Sequence, residues 1–181
     1  INDVHGLSKW LHSLHSARSG GKPTNNLSAA LLVGPPAAGK TTLVSQVVVL
    51  ALETAEMVPI VIKVQQLQAR MHDAPDVFAS KWNWVDAYLY VVYASKSELN
   101  VYRMLRQALM ARRALLLCDG LDEGGSNRKE IERHVTEVLV PQGHVILCTS
   151  RPAGIDSRSF AGFHRLQLAP LTEAQQRDAL T

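Results

Sequence analysis

Three short, almost wholly apolar runs recur along the chain, at 29–33, 114–118 and 145–149, and polar or glycine residues follow each one closely. Strands covered on both faces read this way, which is the habit of parallel sheets. Between them the apolar positions fall at helical steps. Residues 7–17 place Leu7, Leu11 and Leu14 at spacings of four and three, with Trp10 beside them, and so predict an amphipathic helix. Residues 41–56, 99–112 and 131–139 read as helices as well, the second on Leu99, Arg103, Arg106 and Leu109. A β-branched run at 58–64 predicts a strand, with Pro59 tolerable only near its start. Residues 165–168 predict a last, half-exposed strand, and Thr172-Glu173-Ala174-Gln175 has the capping-box form that starts a helix. Strands alternating with helices predict an α/β fold, a three-layer αβα sandwich around a mostly parallel sheet. Residues 19–26 are breakers and read as a linker. The least legible stretch is 72–97, whose Trp82, Trp84, Tyr88, Tyr90 and Tyr93 are expected on one or two helices packed against the sheet.

Composition narrows this picture. A chain of 181 residues with 46% hydrophobic content suits one α/β domain and excludes a disordered polypeptide. Its charged fraction of 19% lies below the usual ~25%, as expected where the sheet or neighbouring domains cover much of the surface. The net charge of +3 is not gathered into a Lys/Arg stripe, which argues against a dedicated nucleic-acid binder. Two cysteines cannot build a disulfide framework, so a reducing, cytoplasmic compartment is expected. The longest apolar stretches, 47–52 and 85–94, fall short of the ~18 residues of a membrane span, and Asp86 interrupts the second. The chain begins at Ile1 and ends at Thr181 inside a helical pattern, so it reads as an excerpt of a longer soluble protein.

The strongest chemical signal is Gly34-Pro35-Pro36-Ala37-Ala38-Gly39-Lys40-Thr41, followed by Thr42. It matches G-x-x-x-x-G-K-[ST], the P-loop, between a buried strand and an amphipathic helix. Gly34 and Gly39 are expected to let successive backbone N–H groups turn into one concavity around a phosphate. The helix that follows adds its positive end. Lys40 is expected at the β and γ phosphates, and Thr41 at Mg²⁺.

A second signal separates the kinds of P-loop protein. The 114–118 run leads straight into Asp119-Gly120-Leu121-Asp122-Glu123. A carboxylate at the carboxyl end of a core strand stands at the ligand-binding edge of such a sheet, where Asp119 can hold Mg²⁺ in the Walker B role. Asp122 and Glu123 follow where an attacking water would lie, and Glu123 is the first choice for water activation. A third signal, Thr149-Ser150-Arg151-Pro152, ends the next apolar run. If its strand lies between the other two, Arg151 can sense whether three phosphates or two are present.

Together these three blocks resemble the NACHT domain of the STAND class of P-loop signalling ATPases, over about residues 27–180. The most specific feature is a small residue, Gly120, directly after the Mg²⁺ aspartate, with the acids displaced to Asp122 and Glu123. The resemblance implies a five-stranded sheet of order 5-1-4-3-2, in which the 145–149 strand separates the other two. It also implies ATP/ADP and Mg²⁺ as ligands. Its partners are then the nucleotide, further domains of the same chain and, in a longer protein, a homo-oligomer. On this reading 1–26 are an N-terminal helix and linker, 27–170 the nucleotide-binding domain, and 171–181 the start of a helical subdomain.

The function expected is a slowly hydrolysing, ATP-operated switch. A small-molecule kinase would need an acceptor pocket and an Arg-rich lid, and a scaffold could bind Mg-ATP without turnover. No N-K-x-D guanine-reading loop occurs, so adenine is the expected base. His5, His12 and His15 can share a helix face, but no cysteine or carboxylate completes a metal set there. Cys118 and Cys148 read as buried small side chains on neighbouring strands.

Overall fold

A computed structural model describes residues 3–19, 28–95, 97–156 and 158–169. Residues 20–26 of the expected linker and the expected start of a helical subdomain (171–181) lie outside the described residues. Five strands form one sheet: β1 (Ala29–Val33), β2 (Val58–Lys63), β3 (Ala114–Asp119), β4 (Val145–Ser150) and β5 (His164–Gln167). Their order is β2-β3-β4-β1-β5, and each neighbouring pair is parallel. This is the α/β sheet expected from the sequence, with β4 between β1 and β3.

The period-two alternation of the strands sorts their side chains to two faces. Ala30, Leu32, Leu115, Leu117 and Leu147 face one way, onto Leu7 and Leu11 of α1 (Val4–Ser19) and Val44, Val47 and Ala51 of α2 (Lys40–Thr54). Ala29, Leu31, Leu116, Ile146 and Cys148 face the other way. There they meet α3 (Val64–Asp73), α4 (Pro75–Ser80), α5 (Trp84–Tyr93), α6 (Leu99–Met110) and α7 (Arg128–His134). Because β3 and β4 are buried along their whole length, their polar residues can appear only at the ends, which is where Asp119, Thr149 and Ser150 stand. Helix α1 is tied down further: His12 bonds the Ser8 carbonyl at 2.8 Å and the Thr54 hydroxyl at 2.7 Å, and Trp10 meets His164 edge-on at 5.0 Å. Among the described residues no helix is long and apolar enough to cross a membrane.

Three elements differ from the sequence expectation. The run at 58–64 is a strand only to Lys63, because Val64 opens α3, whose Val64, Leu67 and Met71 are buried at helical spacing. The β-branched run hid that helix start. In the 72–97 stretch the aromatics divide: Trp84, Tyr88 and Tyr93 join or pack on the core, whereas Trp82 and Tyr90 are exposed. The 131–139 helix is α7 continued by a π turn over Val135–Leu139.

The start of α5 depends on a distant residue. Asn83 caps the helix by accepting from Val85 and Asp86 N–H, at 2.8 and 3.3 Å. The Trp84 N–H donates to His134 Nε2 at 3.1 Å, and the two rings stack at 4.5 Å. An imidazole that accepts this bond must be neutral at Nε2, and burial pushes its pKa down to about 4. Since the unfolded imidazole titrates near ~6.5, the unfolded state binds the extra proton. This contribution is therefore complete above that value and is lost as the pH falls toward the folded value. Between about pH 7.5 and about pH 4.5 it should cost the fold on the order of 2 kcal/mol. Denaturant melts of the parent and His134→Gln at both pH values check this. The parent's extra acid loss should vanish in the variant, and parallel losses would exclude His134 as the source.

Candidate functional site

The carboxyl ends of β1, β3 and β4 converge on one edge of the sheet. The loop after β1 is stitched to its neighbours by the Gly34 N–H, which donates to the Ser150 carbonyl at 3.2 Å, and by the Leu168 N–H on Val33 at 3.2 Å. From there the chain turns through Ala37 (φ 58°) and Gly39 (φ 85°) into α2. No side chain caps that helix, so the first-turn N–H groups keep their hydrogen-bonding capacity for a ligand. A Cβ at Gly39 would meet nothing within 4 Å. The requirement there is conformational: the left-handed backbone favours glycine. Gly34 differs from expectation. It is not left-handed, and a Cβ there would make ordinary contacts of 3.5 Å with Ala38 and Leu168, so the turn does not rest on its special backbone freedom.

The loop and the strand ends enclose a cavity of about 330 Å³, lined by Pro36, Ala37, Ala38, Gly39, Lys40, Thr41 and Thr42 on one side. Asp119, Gly120, Asp122, Glu123, Thr149 and Arg151 line the other. Gly34 and Pro35 stand behind this wall and present their carbonyls to Lys40, whose ammonium donates to both at 2.8 Å. The remaining sequence-predicted residues are therefore brought to one cavity from three separate parts of the chain.

The buried Asp119 carboxylate is held at both oxygens. Thr41 Oγ1 donates to Oδ2 at 2.9 Å, and Thr149 Oγ1 donates to Oδ1 at 2.6 Å. Thr149 also accepts from the Gly120 N–H at 2.9 Å. A hydroxyl beside a carboxylate, at the mouth of a loop of backbone donors, suits a hydrated divalent cation that also carries phosphate oxygens. The donor set thus fits Mg²⁺ with a nucleotide. Thr149, fully buried at the end of β4, is the residue to which sequence reasoning gave no role of its own. Its signal was a hydroxyl closing an otherwise apolar strand.

The two displaced acids do different things. Asp122 accepts three bonds: Arg151 Nε at 3.0 Å on Oδ2, and Arg151 N–H at 3.1 Å and Ser150 Oγ at 3.3 Å on Oδ1. Glu123 makes no such bond through its carboxylate among the described residues and is exposed to the cavity. Gly120 explains how Glu123 gets there. Its backbone is left-handed at φ 81°, and a Cβ on it would lie 3.0 Å from Glu123 Oε2. A small residue after Asp119 therefore clears the space over which the Glu123 side chain folds back.

The fold is found in other proteins. The chain superposes on a structure of PCH-2 from C. elegans with a TM-score of 0.59 at 15% identity, covering 98% of this chain and 45% of that one. ORC1 of Aeropyrum pernix, solved in complex with DNA, gives 0.54 at 16% identity, with 99% and 48% covered. AMPPCP-bound DnaA from Aquifex aeolicus gives 0.51 at 15%, with 93% and 48% covered. At such identities the likeness is one of fold, and the chain spans under half the length of each of these proteins. No curated protein matches the sequence significantly. The family model that does match takes in residues 30–160, from β1 through the P-loop and the Asp119 strand to the segment beyond β4. The chain belongs to the AAA family, the ATPases associated with various cellular activities, P-loop proteins that bind ATP or ADP with Mg²⁺.

Proposed function

We propose that this domain is an ATP-binding, slowly hydrolysing switch of a larger protein, with a nucleotide site of the NACHT type. The observation that carries the reading is the treatment of the two acids after Gly120: Asp122 is bound to Arg151, whereas Glu123 faces the cavity. Rigid hydrolytic sites place the water-activating carboxylate on the strand itself. A carboxylate on the loop after Gly120 is less firmly aimed, and a misplacement of ~1 Å can cost ~100-fold in rate. Slow turnover suits a domain whose output is the state of its nucleotide.

Each residue then has a task. Lys40 leaves the Gly34 and Pro35 carbonyls for the β and γ phosphates, which as anions compete well against neutral acceptors. Thr41 and Asp119 hold the Mg²⁺, and Thr149 fixes the orientation of the Asp119 carboxylate. When bound, the cation draws charge from the phosphates. Glu123 accepts the proton of the water whose oxygen attacks the γ-phosphorus, and ADP departs. Arg151 reads the γ-phosphate, and Asp122 holds the guanidinium when that group is gone. Residues 27–170 form the nucleotide-binding unit, with α1 packed on its flank. Other domains of the chain and further copies of it are the partners that the nucleotide state controls.

Calorimetric titration with Mg-ATP, Mg-ADP and Mg-GTP tests the ligand. Both adenine nucleotides should bind, and GTP should bind at least about tenfold more weakly, a discrimination of about 1.4 kcal/mol. GTP binding as tight as ATP binding would remove the adenine assignment.

A further inference from the structure

We propose that Lys63 is a tethered counter-charge of the metal site, which competes with Mg²⁺ beside Asp119 and so sets how tightly the cation is held with the nucleotide. The proposal rests on the nucleotide reading above and adds to it a residue that tunes the hold on Mg²⁺. Register places this residue. Lys63 closes β2, and its Cα pairs with that of Asp119. Strand alternation then fixes the face. Ile60 and Ile62 pack on the side of α3 to α7, so Lys63, one step on, belongs to the α2 side. Leu115 and Leu117 pack on the α2 side, so Asp119, two steps on, belongs there too. Thr41 of α2 bonds Asp119 from that same side. Neighbouring strands lie about 4.8 Å apart, a gap that the flexible four-carbon stem of a lysine outreaches.

Nothing holds Lys63 elsewhere. β2 is an edge strand, and Val61, its neighbour on this face, is 37% exposed. The Lys63 side chain is exposed and does not cap α3, and among the described residues it forms no hydrogen bond or ion pair. Two other cations of the site are engaged: Lys40 with the Gly34 and Pro35 carbonyls, and Arg151 with Asp122. Asp119 receives the hydroxyls of Thr41 and Thr149. These bonds orient its carboxylate without neutralising it. Its charge therefore repels a nucleotide that arrives without metal, and Lys63 offsets part of that repulsion. Once Mg²⁺ is present, the same lysine is a like charge beside a divalent ion. At about 8 Å in a water-like dielectric, one unit charge changes the affinity of a divalent ion about fivefold. Lys63 thus supports metal-free nucleotide and opposes the metal. For a switch, this eases the discharge of Mg²⁺ and ADP that ends a cycle.

The test measures ADP affinity of the 181-residue chain by calorimetry, in excess Mg²⁺ and in EDTA. The readout is the ratio of the two affinities. At low salt the ratio should rise about fivefold in Lys63→Met and stay at the parental value in Lys63→Arg, which keeps the charge. High salt should shrink the rise, because exposed charges are screened. Arg112→Gln removes a positive charge too, but at the opposite end of β3 from Asp119, and should leave the ratio unchanged. Both side chains are exposed, so folding should survive, and circular dichroism checks that. An unchanged ratio in Lys63→Met overturns the proposal and leaves the nucleotide site standing. So does an equal weakening in both solutions, the mark of a merely structural role, or an equal rise in Arg112→Gln. A parent chain that binds ADP in neither solution removes the nucleotide reading itself.

Discussion

Lys40→Ala is expected to lose about 100-fold or more of its affinity for both Mg-ATP and Mg-ADP, the weight of a charge-assisted bond in a partly dry cavity. The loop offers phosphate mostly backbone dipoles, and Lys40 is the mobile full charge among them. Among the described residues its ammonium bonds only the neutral carbonyls of Gly34 and Pro35, so the substitution removes little from the fold itself. Thermal melts of the variant should therefore stay close to the parent's while calorimetric affinity collapses. A folded Lys40→Ala protein with unchanged nucleotide affinity would leave the P-loop reading without support.

The second large effect is on turnover. Glu123→Gln should retain ATP affinity, because the amide keeps the shape of a side chain that the nucleotide does not need for binding. Its single-turnover hydrolysis should fall by about 100-fold or more, the usual weight of a general base. Asp119→Ala should act differently. It takes the acceptor away from Thr41 and Thr149 together, and so should weaken Mg²⁺-dependent binding before any chemistry. The parent itself should run well below the ~10 s⁻¹ median of enzymes. Asp122→Asn frees Arg151 from its carboxylate, so its mark should be a gain in ATP affinity relative to ADP affinity. Normal turnover in Glu123→Gln beside a dead Asp122→Asn would exchange the two roles.

Much of this arrangement was legible because burial leaves a residue pattern. Strands β1, β3 and β4 are covered on both faces, and continuous apolar runs are the one-dimensional trace of that. The polar residues that close these runs mark the site for the same reason. What sequence could not display were choices settled by packing. Val64 suits a strand as well as a helix, and only the burial of Leu67 and Met71 decides for α3. Adjacent acids look alike in sequence, yet the Arg151 side chain, delivered by β4, singles out Asp122. Likewise, Leu7 and Leu11 announced an amphipathic helix without saying that its apolar face closes the α2 side of the sheet.

One pair of side chains gives the fold a built-in reporter. Cys118 and Cys148 are register partners on β3 and β4, both buried as free thiols. The bond to the Cys118 thiol, together with burial, pushes the Cys148 thiol well above its ordinary pKa. An alkylating reagent needs an accessible thiolate, and the native sheet offers neither access nor, at Cys148, the charge. Each thiol immediately precedes a residue of the nucleotide cavity, Asp119 or Thr149. Their labelling should thus clock the rare openings that lift the helices on that face away from β3 and β4, and ligand bound at the ends of these strands should slow that clock.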